Sequence, residues 1–181
     1  DAQNYTLANT TTTTTADISK ASISAVTGVT AANKTYDAKK VAVLNTTGAA
    51  FAGEISGDVL TVATAVGEFV DKNAGVGKTV NITGLSLGGA DAQNYTLANT
   101  TTTTTADISR KALSAIDVTA ADKIYDGTAS VFLSGGTLNG VLAGDVVSLD
   151  TPTGSFSDKN VGKSKTVTFS AMNLKGVDSG N

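Results

Sequence analysis

Residues 91–109 read DAQNYTLANTTTTTTADIS, and residues 1–19 read the same letters. Identical segments of this length, 90 residues apart, indicate tandem modules rather than one compact fold. Threonine favours strands and is unfavourable within helices. Tyr95 and Leu97 alternate as at the start of a strand, and the threonine run at 100–105 extends it or follows a turn. The stretch therefore predicts a repetitive all-β protein.

Shorter motifs repeat the module in diverged form, at offsets of 87 to 89 residues. They are TAANKTYDA (30–38) with TAADKIYDG (119–127), GDV (57–59) with GDV (144–146), and FVDKN (69–73) with FSDKN (156–160). One unit is thus about 90 residues long, which is within the size range of a small β-sandwich. The sequence predicts tandem immunoglobulin-like sandwich modules in an elongated array.

The phase of the repeats divides the chain into three parts. Residues 1–19 match the C-terminal strands of a preceding repeat, residues 20–109 form one complete module, and residues 110–181 form a second module without its last strands. A short linker is expected around residues 108–114. On this interpretation the sequence is a soluble piece cut from a longer array.

One strand carries a break in its alternation. Apolar side chains occupy Val80 and Ile82, and they resume at Leu85 and Leu87 after a shift at Gly84. The second module repeats the slip in its own apolar positions, which are Val167, Phe169, Met172 and Leu174. A phase change present in both modules predicts a β-bulge.

The composition excludes several kinds of chemistry. The chain has no histidine and no cysteine, which removes imidazole and thiolate catalysis, imidazole and thiolate metal sites and disulfides. Its 16 acidic and 13 basic residues give a net charge of −3, which favours neither nucleic acid nor an anionic membrane as a partner. Apolar runs are far too short to span a membrane. We expect no enzyme activity and no cofactor.

Two motifs are weak evidence for an enzyme. Gly-Lys-Thr at 77–79 and Gly-Lys-Ser at 162–164 are similar to the end of a phosphate-binding loop. However, Lys72 and Ser157 stand where that loop needs glycine, and a strand follows instead of a helix, so a glycine-rich hairpin turn is the better interpretation. An acid/base pair could be drawn from the carboxylates Asp37, Glu54, Asp58, Glu68 and Asp71.

Recurrence of a carboxylate in tandem modules favours a structural role such as capping a turn. Asp37 recurs as Asp126, before Gly127, Asp58 recurs as Asp145, and Asp71 recurs as Asp158. The residues expected to form structural motifs with them are Tyr36, Tyr125, Asn73 and Asn160. Asp91 and Tyr95 have the spacing of an immunoglobulin-type tyrosine corner, in which the tyrosine hydroxyl bonds upstream backbone.

Three modifications or ligands stay open at this point. A junction calcium site could use Asp107, Asp117 and Asp122, although their spacing matches no known loop. Glycosylation is chemically possible at Asn-x-Ser/Thr sequences. Isopeptide crosslinks could stiffen a chain without cysteine, with the lysine candidates Lys72, Lys78, Lys159 and Lys165.

The unit as a whole resembles the YDG repeat domain of large bacterial surface exoproteins of the filamentous haemagglutinin type. The resemblance rests on TYDA and IYDG, the FxDKN motif, and DAQNYTLANTTTTTTADIS. The first copy departs from it at Ala38, where the family has glycine, so the turn after Asp37 is expected to differ. The resemblance implies a secreted adhesin at the surface of Gram-negative bacteria, with the repeats as stalk segments, and no catalytic or ligand residue is carried over.

We therefore expect a spacer that holds an adhesive region away from the cell. The alternative is that Thr-rich β faces themselves bind carbohydrate, a partner array or ice. The partners expected are neighbouring repeats. Self-association is also expected, head to tail, with Tyr5 and Leu7 of one molecule completing residues 110–181 of another by strand complementation.

Overall fold

A computed structural model describes residues 2–150, 152–170 and 172–181, and within these ranges every regular element except two 3-10 turns, Ala2–Asn4 and Ala92–Asn94, is a β-strand. The strands of repeat 1 (residues 20–109) are β1 Ala21–Ile23, β2 Ala25–Thr27, β3 Thr30–Ala31, β4 Lys34–Thr35, β5 Val41–Ala42, β6 Leu44–Asn45, β7 Ala50–Ala52, β8 Thr61–Phe69, β9 Gly75–Gly88, β10 Tyr95–Leu97 and β11 Thr102–Ser109. The strands of repeat 2 (residues 110–181) are β12 Ser114–Ala120, β13 Ser130–Val131, β14 Leu133–Asn139, β15 Ser148–Leu149, β16 Gly154–Phe156, β17 Val167–Phe169 and β18 Leu174–Lys175. The expected all-β fold is confirmed.

Repeat 1 is built on a five-stranded sheet with the strand order β4-β11-β9-β8-β5. The strands pair antiparallel, except that β11 and β4 run parallel. The threonine run supplies much of β11, in which side chains alternate until Ala106 and Ile108 become fully buried. Alternation thus turns one face of this sheet toward the core and leaves Thr103 and Thr105 exposed on the other.

The core of repeat 1 joins this sheet to three smaller ladders. These ladders pair β1 with β10, β2 with β7 and β3 with β6. Residues of the sheet such as Phe69 and Val80 cluster with Ile23, Phe51 and Tyr95 of the ladders. Ile108 belongs to this core, so the linker is shorter than expected and comprises only residues 110–113, between β11 and β12.

The β-bulge predicted at Gly84 is confirmed. Ser86 of β9 lies opposite Thr64 and Thr83 lies opposite Val66, so β9 carries one extra residue there. Gly84 has a φ of +65°, a conformation that glycine adopts without strain. In repeat 2 the corresponding position, Ala171, lies outside the described residues.

The hairpin turn predicted at residues 77–79 is wrong. These residues lie inside β9, and the chain reverses at residues 70–74 between β8 and β9. Gly77 has a φ of +62° at a bulge against β11, and its N–H donates to Asp107 Oδ1 at 2.7 Å. A glycine that serves a bulge looks in sequence like one that serves a turn, because both require a positive φ. In repeat 2, residues 162–164 lie outside the strands.

Repeat 2 reproduces part of this architecture. β13, β16 and β17 form a three-stranded sheet that corresponds to β5, β8 and β9, and β12 pairs with β14. Among the residues of repeat 2 that the structure describes, no strand corresponds to β10 or β11. Ile82, which pairs with Thr102 of β11, is 0% exposed, whereas its counterpart Phe169 in repeat 2 is 39% exposed.

The turn after the YDG tyrosine is the same in both repeats, contrary to expectation. Ala38 has a φ of +62°, and Gly127 at the equivalent position has a φ of +79°. A left-handed conformation costs a non-glycine residue about 1–2 kcal/mol. Ala38 therefore holds a strained version of the turn that Gly127 makes freely.

We expect Ala38→Gly to stabilise repeat 1 by about 0.5–1 kcal/mol, because relief of strain exceeds the added entropy of the unfolded glycine. The matched control is Gly127→Ala, which should destabilise repeat 2 by a similar amount, since an added Cβ meets no atom within 4 Å and only strain acts. Urea unfolding of the two variants measures both effects. A loss of stability in Ala38→Gly would contradict the strain interpretation.

Candidate functional site

The two repeats meet at an ion pair centred on Asp145. Tyr36 Oη donates a hydrogen bond to Asp145 Oδ1 at 2.9 Å, and Lys72 Nζ donates to the same oxygen at 2.8 Å. Lys72 Nζ also lies 3.6 Å from Asp178 Oδ1. Tyr36 and Lys72 belong to repeat 1, and both carboxylates belong to repeat 2. We call these four residues the junction site.

Further contacts fix the end of repeat 2 against repeat 1. The Asn181 side chain accepts a hydrogen bond from the Ala74 backbone N–H at 2.9 Å, in the turn between β8 and β9. In the linker, Arg110 Nε donates to the Gly180 carbonyl oxygen at 3.0 Å, and the Lys111 N–H donates to the Asn181 carbonyl oxygen at 3.2 Å. The junction thus combines side-chain pairing with backbone contacts on two sides.

The electrostatics of the junction site favour the charged forms of Lys72 and Asp145. The Lys72 ammonium holds the pKa of the Asp145 carboxyl below its ordinary value, helped by the Tyr36 hydroxyl. Asp145 in turn raises the pKa of Lys72, and burial raises the pKa of Tyr36. Because isopeptide formation needs a neutral lysine amine, this environment argues against Lys72 as a crosslinking residue.

The cavity beside the junction site is too small for an organic ligand. Its volume is about 20 Å³, and its lining includes Tyr36, Leu142, Asp145 and Asp178. A space of this size holds one water molecule. The junction is therefore a packed contact between repeats.

Each repeat carries both halves of a junction. Tyr36 recurs as Tyr125, 89 residues later, and Lys72 recurs as Lys159, 87 residues later. Asp145 and Asp178 have their counterparts 87 residues earlier, at Asp58 and Asp91. Asp91 Oδ2 accepts the Val59 N–H at 2.8 Å, and Asp178 Oδ2 accepts the Val146 N–H at 2.9 Å. The loop that carries Asp58 in repeat 1 is therefore held by the same hydrogen bond as the loop that carries Asp145 in repeat 2.

Tyr95 braces the same loop from inside repeat 1. Its hydroxyl accepts a hydrogen bond from the Ile55 N–H at 3.0 Å and donates to Asp58 Oδ2 at 2.5 Å. The Asp58 carboxylate thereby raises the pKa of Tyr95. The tyrosine-corner pattern anticipates an upstream backbone partner, but this one is 40 residues away and is accompanied by a carboxylate. The spacing of Asp91 and Tyr95 carries no information about either partner.

The recurring aspartates cap turns. Asp37 Oδ1 accepts the Lys39 N–H at 2.9 Å, and Asp71 Oδ1 accepts the Asn73 N–H at 2.7 Å. Their counterparts do the same in repeat 2, where Asp126 accepts the N–H of Thr128 and Asp158 accepts that of Asn160. A lysine also pairs with each of these carboxylates, in the pairs Lys34–Asp37, Lys78–Asp71, Lys123–Asp126 and Lys165–Asp158.

Protonation of the carboxylates that cap these turns should lower the free energy of unfolding in acid. Lys123 and the N–H of Thr128 lower the pKa of Asp126 to about 2, from an ordinary value of 3.8. Because the pKa is lower in the folded protein, this stabilisation is complete above the unfolded value and disappears as the pH falls toward 2. We expect the free energy of unfolding of repeat 2 to fall between about pH 4 and pH 2.

The measurement is urea unfolding across this pH range. Asp126→Asn keeps a side-chain acceptor for the turn and removes the charge, so it should flatten the pH dependence. Lys123→Met should have the same effect, and combining the two should add little, because they remove one pair. An undiminished pH dependence in Asp126→Asn would contradict this assignment.

The pairing of Lys72 with Asp145 across the repeats is not evident from the sequence. Both lie in motifs that recur, FVDKN and GDV, so recurrence at a fixed offset was a usable signal.

The proposed calcium ligands are not brought together, since no group of three or more acidic side chains with metal-binding geometry occurs in residues 2–150, 152–170 and 172–181. Over the same ranges, no helix has the length and apolar character needed to cross a membrane.

Comparison with known proteins places the chain in a family. The YDG domain model matches twice, at residues 19–105 and 109–181. Comparison with curated proteins and with solved structures gave no match. The matched ranges cover most of the chain and include the capped turns and the junction site. The chain therefore belongs to the YDG domain family and carries two copies of that domain in tandem.

Proposed function

We propose that this chain is a stalk or spacer segment of a secreted bacterial cell-surface adhesin, in which it projects an adhesive region from the cell. On this proposal each YDG repeat is an immunoglobulin-like β-sandwich and the repeats form an elongated array. The observation that carries the proposal is the role of the polar side chains that recur in both repeats. They cap turns or join one repeat to the next, as expected for a protein whose task is to hold its own shape.

A spacer needs neighbouring repeats that keep a fixed orientation relative to each other. The Asp145 side chain is 4% exposed, so its pairing with Lys72 is shielded from solvent on one side. Partly buried ion pairs are screened less by salt than surface pairs are. The backbone contacts of Asn181 and the short linker at 110–113 restrict the junction further. These features support a stiff connection.

The carboxylates are poorly suited to catalysis, which supports a non-enzymatic role. Lys34 lowers the pKa of Asp37, and Lys78 lowers that of Asp71. A general acid near neutral pH needs a raised carboxyl pKa, and a lowered one also makes a weak base. Asp58 is occupied by the Tyr95 hydroxyl.

The proposal is tested by applying the 181-residue protein to a glycan array and to host cells. A spacer should show no saturable binding in either assay. Saturable binding of a defined glycan or cell type would overturn the spacer function and favour a binding module. As a control, the Asp145→Asn variant should behave like the parent protein in both assays, because the junction site is not a ligand site.

One observation favours a second candidate, ligand binding by the outer face of the five-stranded sheet. Thr103 and Thr105 of β11 are exposed there, and they lie opposite Asn81 and Thr79 of β9. This arrangement makes a flat polar surface of short side chains. If binding is found, Thr103→Lys should abolish it without unfolding the repeat, whereas binding unaffected by this change would exclude the face.

A further inference from the structure

The sequence holds one Asn-Gly pair, and it lies beside the junction between the repeats. Asn139 is the last residue of β14 and pairs with Ser114, the first residue of β12. Gly140 follows the strand with a φ of +99°, and it lines the small junction cavity together with Tyr36 and Asp145. A residue without a side chain leaves its backbone nitrogen open to approach by the side chain before it. The pair is therefore a candidate site for reaction between neighbouring groups.

Neither of the two groups is held by another contact. Asn139 and Gly140 are both exposed. In the part of the chain that the structure describes, the Asn139 side chain has no hydrogen-bond partner and the Gly140 N–H donates to no acceptor. Gly140 lies just beyond the ladder of β12 and β14, so no ladder hydrogen bond holds its nitrogen in the sheet. The Gly140 nitrogen and the Asn139 side chain are free to approach each other.

Repeat 1 keeps the glycine of this pair but not the asparagine. Its equivalent residues are Ala52 and Gly53, 87 residues earlier. Gly53 has a φ of +104°, so the backbone turns in the same way there. The turn requires the glycine, whereas an amide side chain is not required, since Ala52 precedes the turn of repeat 1. Alanine at residue 139 should thus preserve the turn and prevent the reaction.

We propose that Asn139 deamidates spontaneously and that its conversion to isoaspartate loosens the junction between the repeats. The Gly140 nitrogen attacks Cγ of Asn139 and loses its proton to water or hydroxide. The bond from Cγ to the side-chain nitrogen breaks, and that nitrogen leaves as ammonia with a proton taken from water. The product is a cyclic succinimide. Because the reacting groups belong to adjacent residues, the attack is intramolecular and proceeds without a catalyst.

Water then opens the succinimide in one of two ways. Attack on the side-chain carbonyl gives aspartate with an ordinary main chain. Attack on the main-chain carbonyl gives isoaspartate, in which the main chain runs through Cγ of residue 139 and is longer by one atom. The net reaction consumes one water molecule and releases one ammonia molecule, and it needs no oxidant, reductant or cofactor.

The added atom falls where the two repeats are connected. A Cβ placed on Gly140 would lie 3.3 Å from Cδ2 of Leu113, in the linker. Gly140 also begins the segment that leads to Asp145, the ion-pair partner of Lys72. A longer main chain at residue 139 displaces this segment from the linker and moves Asp145 away from Lys72. The inference goes beyond the spacer function, and the reaction does not depend on it.

The test is mass spectrometry of the 181-residue protein, fresh and after storage in warm, mildly alkaline buffer, which favours loss of the Gly140 proton. Trypsin releases residues 124–159, which contain Asn139 as their only asparagine and no glutamine. We expect this peptide to gain the mass difference between a carboxylic acid and an amide. In the isoaspartate form it should resist the endoproteinase that cleaves before aspartate, at residue 139 alone.

The chain supplies two controls. Tryptic peptide 21–34 contains Asn33, which precedes Lys34 and whose Oδ1 accepts the Asp107 N–H at 2.7 Å, so it should keep its mass. The Asn139→Ala variant, which has the residue that repeat 1 has, should leave peptide 124–159 unchanged. An Asn139 that survives storage as well as Asn33 does would overturn the proposal.

A second measurement follows the junction itself. The N–H of Asp145 donates to the Leu142 carbonyl oxygen at 3.1 Å, and that of Val146 donates to Asp178 at 2.9 Å. Amide hydrogen exchange at Asp145 and Val146 should be faster in the stored protein than in the fresh protein. Stored Asn139→Ala should exchange as slowly as fresh protein. Unchanged exchange in protein shown to carry isoaspartate would overturn the effect on the junction, and neither outcome bears on the spacer function.

Discussion

Replacing Phe69 with alanine will destabilise repeat 1 by about 3–5 kcal/mol, the range for truncating a fully buried aromatic side chain. Phe69 ends β8 opposite Val80 and is 1% exposed within the core. Its truncation leaves a cavity between the five-stranded sheet and the smaller ladders. NMR-detected urea unfolding, which follows the two repeats separately, measures the loss in repeat 1.

The chain supplies a matched control in Phe156, the equivalent residue of repeat 2. Phe156 is only partly buried and lines a cavity together with Tyr125 and Val167. Phe156→Ala should therefore cost less than half as much as Phe69→Ala, since fewer contacts are lost and the space is already open to water. Equal losses in the two repeats would contradict the conclusion that β11 completes the core of repeat 1.

Gly89→Ala will lower the free energy of unfolding by about 3 kcal/mol or more, through two effects at one residue. Gly89 has a φ of +98°, and a Cβ placed on it would lie 2.2 Å from the Val59 carbonyl oxygen. That contact lies in the loop that presents Asp58, which Asp91 and Tyr95 brace. The substitution therefore both strains the backbone and displaces the loop.

Gly57→Ala separates these two effects. Gly57 has a φ of +101°, but an added Cβ there meets nothing within 4 Å. In this variant only backbone strain should act, and the free energy of unfolding should fall by about 1 kcal/mol. Thermal or urea unfolding of both variants gives the difference, which is the cost of the clash with Val59. Similar losses in Gly57→Ala and Gly89→Ala would show that the close approach is unimportant.

Local patterns were a good guide to local structure. The phase shift at Gly84 predicted a bulge because alternation is a property of one strand. Asp37 and Asp71 marked turns because the backbone N–H groups that donate to their carboxylates lie only two residues away. The glycine at 77 was misassigned, since a bulge depends on the neighbouring strand β11, which the local sequence does not identify.

Long-range contacts could not be read in the same way. Tyr36 and Asp145 are 109 residues apart, and only the placement of one repeat on the other brings them together. The partner of Tyr95 at Ile55 depends likewise on how a loop folds back over the core. Recurrence marked Tyr36 and Asp145 as structural without showing what they contact, because residues that recur can serve contacts within a repeat or contacts between repeats.

The central claim is that the junction site holds the two repeats in one orientation. The chain contains no cysteine, so two can be introduced for spin labels without any background labelling. Val43 and Phe132 are equivalent positions in the two repeats, and both are exposed. Electron–electron double resonance on Val43→Cys/Phe132→Cys, diluted with unlabelled protein to suppress contacts between molecules, reports the distance between repeats.

We predict a single narrow distance distribution at neutral pH. Adding Asp145→Asn to the labelled protein removes the ion pair with Lys72 and should broaden that distribution, while Asp126→Asn, which acts within repeat 2, should leave it unchanged. A distribution that is broad in the labelled parent protein, and as broad as in Asp145→Asn, would contradict a fixed junction and with it the spacer that we propose.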